Sequence, residues 1–238
     1  MPKTLTSAGS LLPDIAASLG DLVATLSEKL QVQYSFETKA NVSASFHVLS
    51  VSLEEAMSDI YTGRVTLSTG SARVKADDLR GKSASLSLHR GSEVRVVHGI
   101  VERVLRGKRR NHEHFVTVTL VPALAMFQHI TTSRTFLDKT VPEIAREVLE
   151  QPLKERFGRS LVLDFDHREF PRREYVVQYQ ESDYAFVTRL LADEGIWFYV
   201  RESGDGEELV LTNTKEKAQP IAVDPSLLLA DDREASTG

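Results

Sequence analysis

Asp164 and Asp166, in the stretch DFDH, stand two residues apart. On a strand that spacing puts both carboxylates on one face, the smallest arrangement that could do paired acid–base work in a hydrolase. Such pairs are common on exposed strands, so the spacing alone does not mark a catalytic centre. His112 and His114 flank Glu113 in NHEHF and would also share a strand face, as two ligands of a metal site do. No third ligand follows at a useful spacing, and a solvated turn accounts for them better. LRGKS, residues 79–83, carries the GKS end of a phosphate-binding loop, yet position 76, where that motif needs its first glycine, is alanine. A turn ahead of the next strand is the simpler reading.

The run RVLRGKRRNH, residues 103–112, gathers five basic side chains around Gly107 and could grip nucleic acid phosphates or serve a carbohydrate-binding module. It holds no aromatic residue for base stacking, and the chain as a whole carries a net charge of −5. A solvated hairpin tip is expected there, with no nucleic acid partner. There is no cysteine, which removes disulfides, thiol catalysis and cysteine zinc sites together. No G-x-S-x-G occurs either, so a nucleophile elbow is absent. No catalytic, cofactor-binding or metal-ligating residue is therefore assigned, and the chain does not read as an enzyme.

The elements around these residues fall into regions. The 238 residues suffice for one large domain or two ordinary ones, and 41% hydrophobic with 26% charged is a globular balance. No apolar run is long enough to cross a bilayer. Asp14 and Asp21 break the apolar residues after Lys3, so a secretory signal is not predicted and export would need another route. Residues 1–40 read as a helical extension, because Ile15, Leu19, Leu22, Leu26 and Leu30 recur three or four apart. Its stripe could pack on its own domain or dock on a partner.

From 41 to 125 the period changes to two. SFHVLSV, GRVTLS, SASLSLHR, EVRVVHGIVERVL and HFVTVTLVP alternate apolar and polar residues, as half-buried antiparallel strands of a sandwich or small barrel do. Gly99 interrupts one of them and predicts a bulge or a close backbone approach.

Residues 126–217 mix helix and strand. Thr140 with Glu143 three residues on is a capping box, with Pro142 in the first turn. LVLDFD and EYVVQYQ read as strands. Ser182 is then an N-cap, Phe186, Val187, Leu190 and Leu191 a helical stripe, and Gly195 a terminating glycine. IWFYV and GDGEELVLTN close the region as two more strands, and 218–238 reads as a tail or truncated linker.

The segment REYVVQYQESDYAFVTRLLADEGIWFYV, residues 173–200, resembles the VgrG (Vgr/Rhs-associated) spike proteins of type VI secretion. LRGKSASLSL at 79–88, HGIVERV at 98–104 and FLDKTVPEIAREVLE at 136–150 match that family in the same order. The resemblance covers roughly residues 42–217 and implies a mixed α+β, β-rich fold: an antiparallel β-barrel of tail-hub type with an inserted or adjacent α/β domain. It also implies a non-enzymatic hub, a homotrimer in full-length form that stacks on a tube of Hcp-like protein beside baseplate proteins. Such a spike assembles in the cytoplasm, leaves through the secretion apparatus and punctures membranes as part of the assembly, without being a membrane protein. Residues 1–40 have no counterpart in that family pattern and could dock an effector or adaptor. The hub of a contractile phage or phage-like injection particle is the alternative within the same architecture. No second barrel fits after residue 217, so a fragment or a short variant is expected.

Overall fold

A computed structural model describes residues 32–70, 74–107, 113–204 and 206–215. The stripe Ile15–Leu30 and the tail from 218 lie outside these residues. Six antiparallel strands form the first unit: β1 (Gln33–Thr38), β2 (His47–Glu54), β3 (Thr62–Ser68), β4 (Ser83–Arg90), β5 (Glu93–Arg106) and β6 (Phe115–Val121). They lie side by side in the order β1-β4-β5-β6-β3-β2. The alternation seen in the sequence sets the inner face. Val65, Val118 and Val104 are direct neighbours across β3, β6 and β5, and Phe36, Leu86 and Val97 form a second rung across β1, β4 and β5. All six are buried. Each rung removes apolar surface from water at about 25 cal/mol per Å².

β5 is long enough to serve two neighbours. Its first half pairs with β4 and its second with β6, and a register shift between Val101 and Arg103 bends it there. The bend curls the sheet until its two outermost strands approach. Phe36 on β1 and Phe46 just before β2 meet edge to face with ring centroids 5.5 Å apart. The result is a curled antiparallel sheet whose edges meet through side chains. The short helix α1 (Ala76–Leu79) leads into β4, burying Leu79.

One boundary moves. The helical extension read from the sequence ran to residue 40, but Gln33–Thr38 is a strand of the sheet, paired with β4 from Gln33↔His89 to Thr38↔Ala84. Its alternation places Phe36 against Leu86, and that burial outweighs the helical period of the residues before it.

A 3-10 helix (Ala123–His129) buries Ala123, Leu124 and Phe127 and carries the chain into the second unit. There follow β7 (Thr131–Lys139), α2 (Val141–Phe157), β8 (Ser160–Leu163), β9 (Arg173–Ser182), α3 (Asp183–Glu194), β10 (Trp197–Ser203) and β11 (Gly206–Thr212). β7 and β9 make an antiparallel ribbon. β11 sits between β10, to which it is antiparallel, and β8, to which it is parallel. Ile144, Val148, Leu149 and Leu153 of α2 and Phe186, Leu190 and Leu191 of α3 pack with Phe127, Phe136, Phe198 and Leu211 in one core. The rings of Phe136 and Phe186 stack there at 5.5 Å and 15°. Ile100 of β5 belongs to this second core, and Val200 of β10 packs against the first, so the two units interlock.

Candidate assembly surface

The charged residues of the 173–200 segment are bonded into the framework. Ser182 caps α3 by accepting from the Ala185 amide at 3.1 Å. Asp183 beside it is only 2% exposed. Its carboxylate receives Arg134 Nη2 at 2.9 and 2.8 Å, Gln178 Nε2 at 2.7 Å and Thr132 Oγ1 at 3.1 Å. A buried carboxylate is costly unless paired and hydrogen-bonded, and this one has a guanidinium, two neutral donors and the positive end of a helix.

The other end of α3 is held the same way. Glu194 is buried and lies at the negative end of the helix, where a carboxylate is disfavoured. Arg168 Nη2 at 3.1 Å and Arg173 Nη2 at 3.0 Å offset it. Gly195 ends the helix at φ 71°, a left-handed conformation that suits a residue without Cβ. Along the side of α3, Arg189 donates to Glu181 at 3.0 and 2.6 Å and to the Val177 carbonyl at 3.1 Å. Its guanidinium also lies over the Phe186 ring at 5.1 Å. The hydrogen bonds from Arg189 hold the Glu181 carboxyl below its ordinary range. These ionic bonds lock α3 against the β7–β9 ribbon.

α2, on the other side of the core, has the box at its start: Thr140 N donates to Glu143 Oε2 at 2.8 Å, and Glu143 N donates to Thr140 Oγ1 at 3.4 Å. The bond from the Thr140 amide is the first cause of a lowered Glu143 pKa. Gly99, within β5, is a close-approach position: a Cβ there would come within 2.6 Å of both Tyr61 Oη and the Val121 carbonyl. The bulge of β5 lies two residues further on.

With α3 fixed beneath it, the ribbon turns an aromatic face outward. Val176 and Gln178 point inward and are buried, whereas Tyr175 and Tyr179 are 65% and 71% exposed. Leu137, the register partner of Tyr175, is 62% exposed. Arg172, Asp138 and the Lys139–Glu147 pair stand at one end of this patch. Large apolar side chains held together on a rigid, charge-rimmed ribbon are the makings of a protein–protein contact.

The chemical candidates do not converge. Asp164 and Asp166 follow β8 rather than sharing a strand face. The Asp164 amide donates to the Leu211 carbonyl at 2.9 Å. Asp166 is exposed, and Oδ1 receives Asn213 Nδ2 at 2.5 Å and the Arg168 amide at 3.1 Å. The hydrogen bond from Asn213 lowers its pKa first, so it stays an anion that staples a loop. Gly81 turns at φ 74° with its amide on the Val101 carbonyl, and the Lys82 amide donates to the Leu79 carbonyl at 3.1 Å, so LRGK is a β-turn against β5 and Ser83 opens β4. Glu113 accepts from Ser68 Oγ at 3.3 Å, and the His114 amide donates to Gly70 O at 2.8 Å. His112 and the basic residues 108–110 lie outside the described residues. Among the described residues no group of three or more His, Asp or Glu could hold a metal, and no helix is long and apolar enough to cross a membrane.

Thr132, Arg134 and Arg168 were not identified from the sequence. Arg134 lies 49 residues from Asp183, and no local spacing signals such a pair.

Comparison with known proteins places this geometry. A family model described as phage tail baseplate hub matches residues 54–238. An actin cross-linking toxin VgrG1 of Vibrio cholerae is 32% identical over 192 residues, which is 76% of this chain and 17% of the relative. A type VI secretion system spike protein VgrG1b of Pseudomonas aeruginosa is 35% identical over 139 residues, 58% of this chain and 18% of the relative. The chain thus spans less than a fifth of these relatives. A solved Escherichia coli protein superposes with a TM-score of 0.69 at 21% identity, over 78% of this chain and 51% of that one. It is described as a component of the type VI secretion system with structural similarity to T4 bacteriophage tail proteins gp27 and gp5.

Proposed function

The chain belongs to the phage tail baseplate hub family, and from that premise we propose that it is the structural hub portion of a VgrG-like type VI secretion spike. Copies come together, three in the full-length spike, at the tip of an Hcp-like tube and beside baseplate proteins, to support puncturing and effector delivery. The observation that carries this reading is the pairing of a rigid ionic framework with an exposed aromatic ribbon: Asp183 and Glu194 pin α3, and Tyr175, Tyr179 and Leu137 face outward above it. The work is mechanical, and no catalysis is assigned to this portion. The spike is put together in the cytoplasm and leaves through the apparatus, and the apolar stripe of residues 15–30 meets an effector or adaptor.

The test places Leu137→Glu and Tyr175→Glu together in the full spike protein. Both side chains face solvent, so folding by circular dichroism stays intact. Oligomer formation by light scattering and co-pelleting with tube protein are expected to fall at least about tenfold, the loss of about 1.4 kcal/mol or more. Unchanged assembly would remove the ribbon from the contact. The same architecture serves phage tail hubs, and co-pelleting with a phage tube protein in place of an Hcp-like one would favour that alternative.

A further inference from the structure

Between the curled sheet and the α/β unit lies a group of polar side chains that the assembly role leaves unused. Glu207, in β11, is buried. Its Oε1 accepts from the Ala123 amide at 2.6 Å and lies 3.8 Å from Arg159 Nε; its Oε2 is 3.3 Å from Tyr61 Oη. Tyr61 donates in turn to the carbonyl of His98 on β5. The His98 amide donates to Glu202 Oε1 of β10 at 3.2 Å, and His98 Nε2 is 3.6 Å from Glu202 Oε2. The first unit therefore supplies Tyr61 and His98, the connection Ala123, and the second unit Arg159, Glu202 and Glu207.

With every carboxyl ionised the charges balance only if His98, whose Nε2 is 3.6 Å from Glu202, carries a proton. Glu202 and Glu207 face one buried cation, Arg159, whose Nε and Nη2 have no hydrogen-bond partner. The remaining charged groups are at the rim: Glu37 and Lys39 on the β1 side, and Arg95, which is bonded to Glu55 at 2.6 Å. With His98 neutral, a single proton on the carboxyl pair restores neutrality. Burial pushes Glu207 up to about 7, against the Ala123 amide, Arg159 and Tyr61. Partial burial, with the charge of Glu207 adding, brings Glu202 up to about 7 as well. Two recesses, about 290 and 210 Å³, both reach Arg159 and Lys39, and Glu207 lines the second. Water and protons therefore have a path to the pair without unfolding.

We propose that this seam is a proton-operated joint: a proton on Glu207 holds the curled sheet and the α/β unit together, and its loss loosens the two without unfolding either. The inference goes beyond the hub role and does not depend on it. In the opened seam Glu207 returns to its ordinary value of 4.5, whereas in the closed seam it titrates near 7. The closed form holds the proton more tightly. Closure is therefore most favoured below 4.5, weakens as the pH rises, and levels off above about 7.

The experiment is amide hydrogen exchange on the full chain from about pH 5 to 8, with each rate corrected for its intrinsic pH dependence. Protection in β10 and β11 is expected to fall by up to about tenfold per pH unit between 5 and 7 and then to level off. Protection in the β7–β9 ribbon should not follow that slope. Glu207→Gln, which keeps the shape and cannot titrate, should flatten most of it. A flat profile in the native protein, or the native slope persisting in E207Q, overturns the joint. Should E207Q fail to fold, carbon NMR titration of the native Glu207 carboxyl decides: a midpoint near 7 supports the proposal, and one near 4.5 overturns it.

Discussion

The curled sheet and the α3–ribbon unit reach order by opposite means. The sheet is held by apolar rungs such as Val65–Val118–Val104, in which any side chain of suitable volume and branching would serve. The α3 unit shares an apolar core, but its orientation depends on ion pairs at both ends, Asp183 with Arg134 and Glu194 with Arg168 and Arg173. A hydrophobic rung tolerates small shifts, whereas a buried carboxylate accepts one arrangement of donors. The segment 173–200, on which the resemblance to VgrG proteins was read, supplies Asp183, Glu194 and Arg173 to this ionic framework. Its charged residues preserve a geometry, and the sheet needs only a pattern.

The sharpest way to break this comparison is to remove one side of a buried pair. Arg134→Ala strands the Asp183 carboxylate in a site 2% exposed, and a loss of about 4 kcal/mol in urea unfolding is expected. Asp183→Asn in the same background should recover part of it, because the amide sheds the charge; no recovery would mean that Arg134 acts through packing alone. Leu120→Ala, at a fully buried position near the end of β6, tests the sheet. It should cost about 3 kcal/mol, and Leu120→Met under about 1.5, the tolerance expected of an apolar rung. Equal losses for both would show that the sheet is as exacting as the α3 unit.

Thr140→Ala removes one half of the capping box of α2 and should cost about 1 kcal/mol, with Ser in its place restoring most of that. The smallest effect concerns acid. The Arg189 bonds lower the Glu181 pKa below 4.5, so their contribution is present above that value and is lost as the pH falls through the depressed one. Partial exposure limits it to about 0.5 kcal/mol, read as a difference in acid stability between the native protein and Glu181→Gln. This sign is opposite to that of the Glu207 seam, which weakens as the pH rises. One pH series therefore separates the two regions.

Legibility in the sequence followed the range of each interaction. Helix ends are written next door: Thr140 with Glu143, and Ser182 with Gly195, occupy the ends of α2 and α3. β2 to β6 are visible because each alternates over several residues and buries one face. β1 was hidden because it follows a helical stripe directly and buries only Phe36 fully. β7 was hidden for a related reason, with Phe136 its only buried residue. The site was least legible. Asp183 stands in plain view, but its partner Arg134 is on another strand, and the Tyr61–Glu207 contact joins residues 146 positions apart. Such pairs leave no period in the chain.

The parallel pairing of β8 with β11 gives the hub a mechanical grain. Their register runs without slippage from Ser160↔Glu208 to Leu163↔Leu211. A load directed along the strands and transmitted through the chain beyond Thr212 would shear this ladder, because its bonds share the load and must slide together instead of peeling open one at a time. A load across the strands would meet them singly. The fold therefore resists a load along that axis better than a sideways pull.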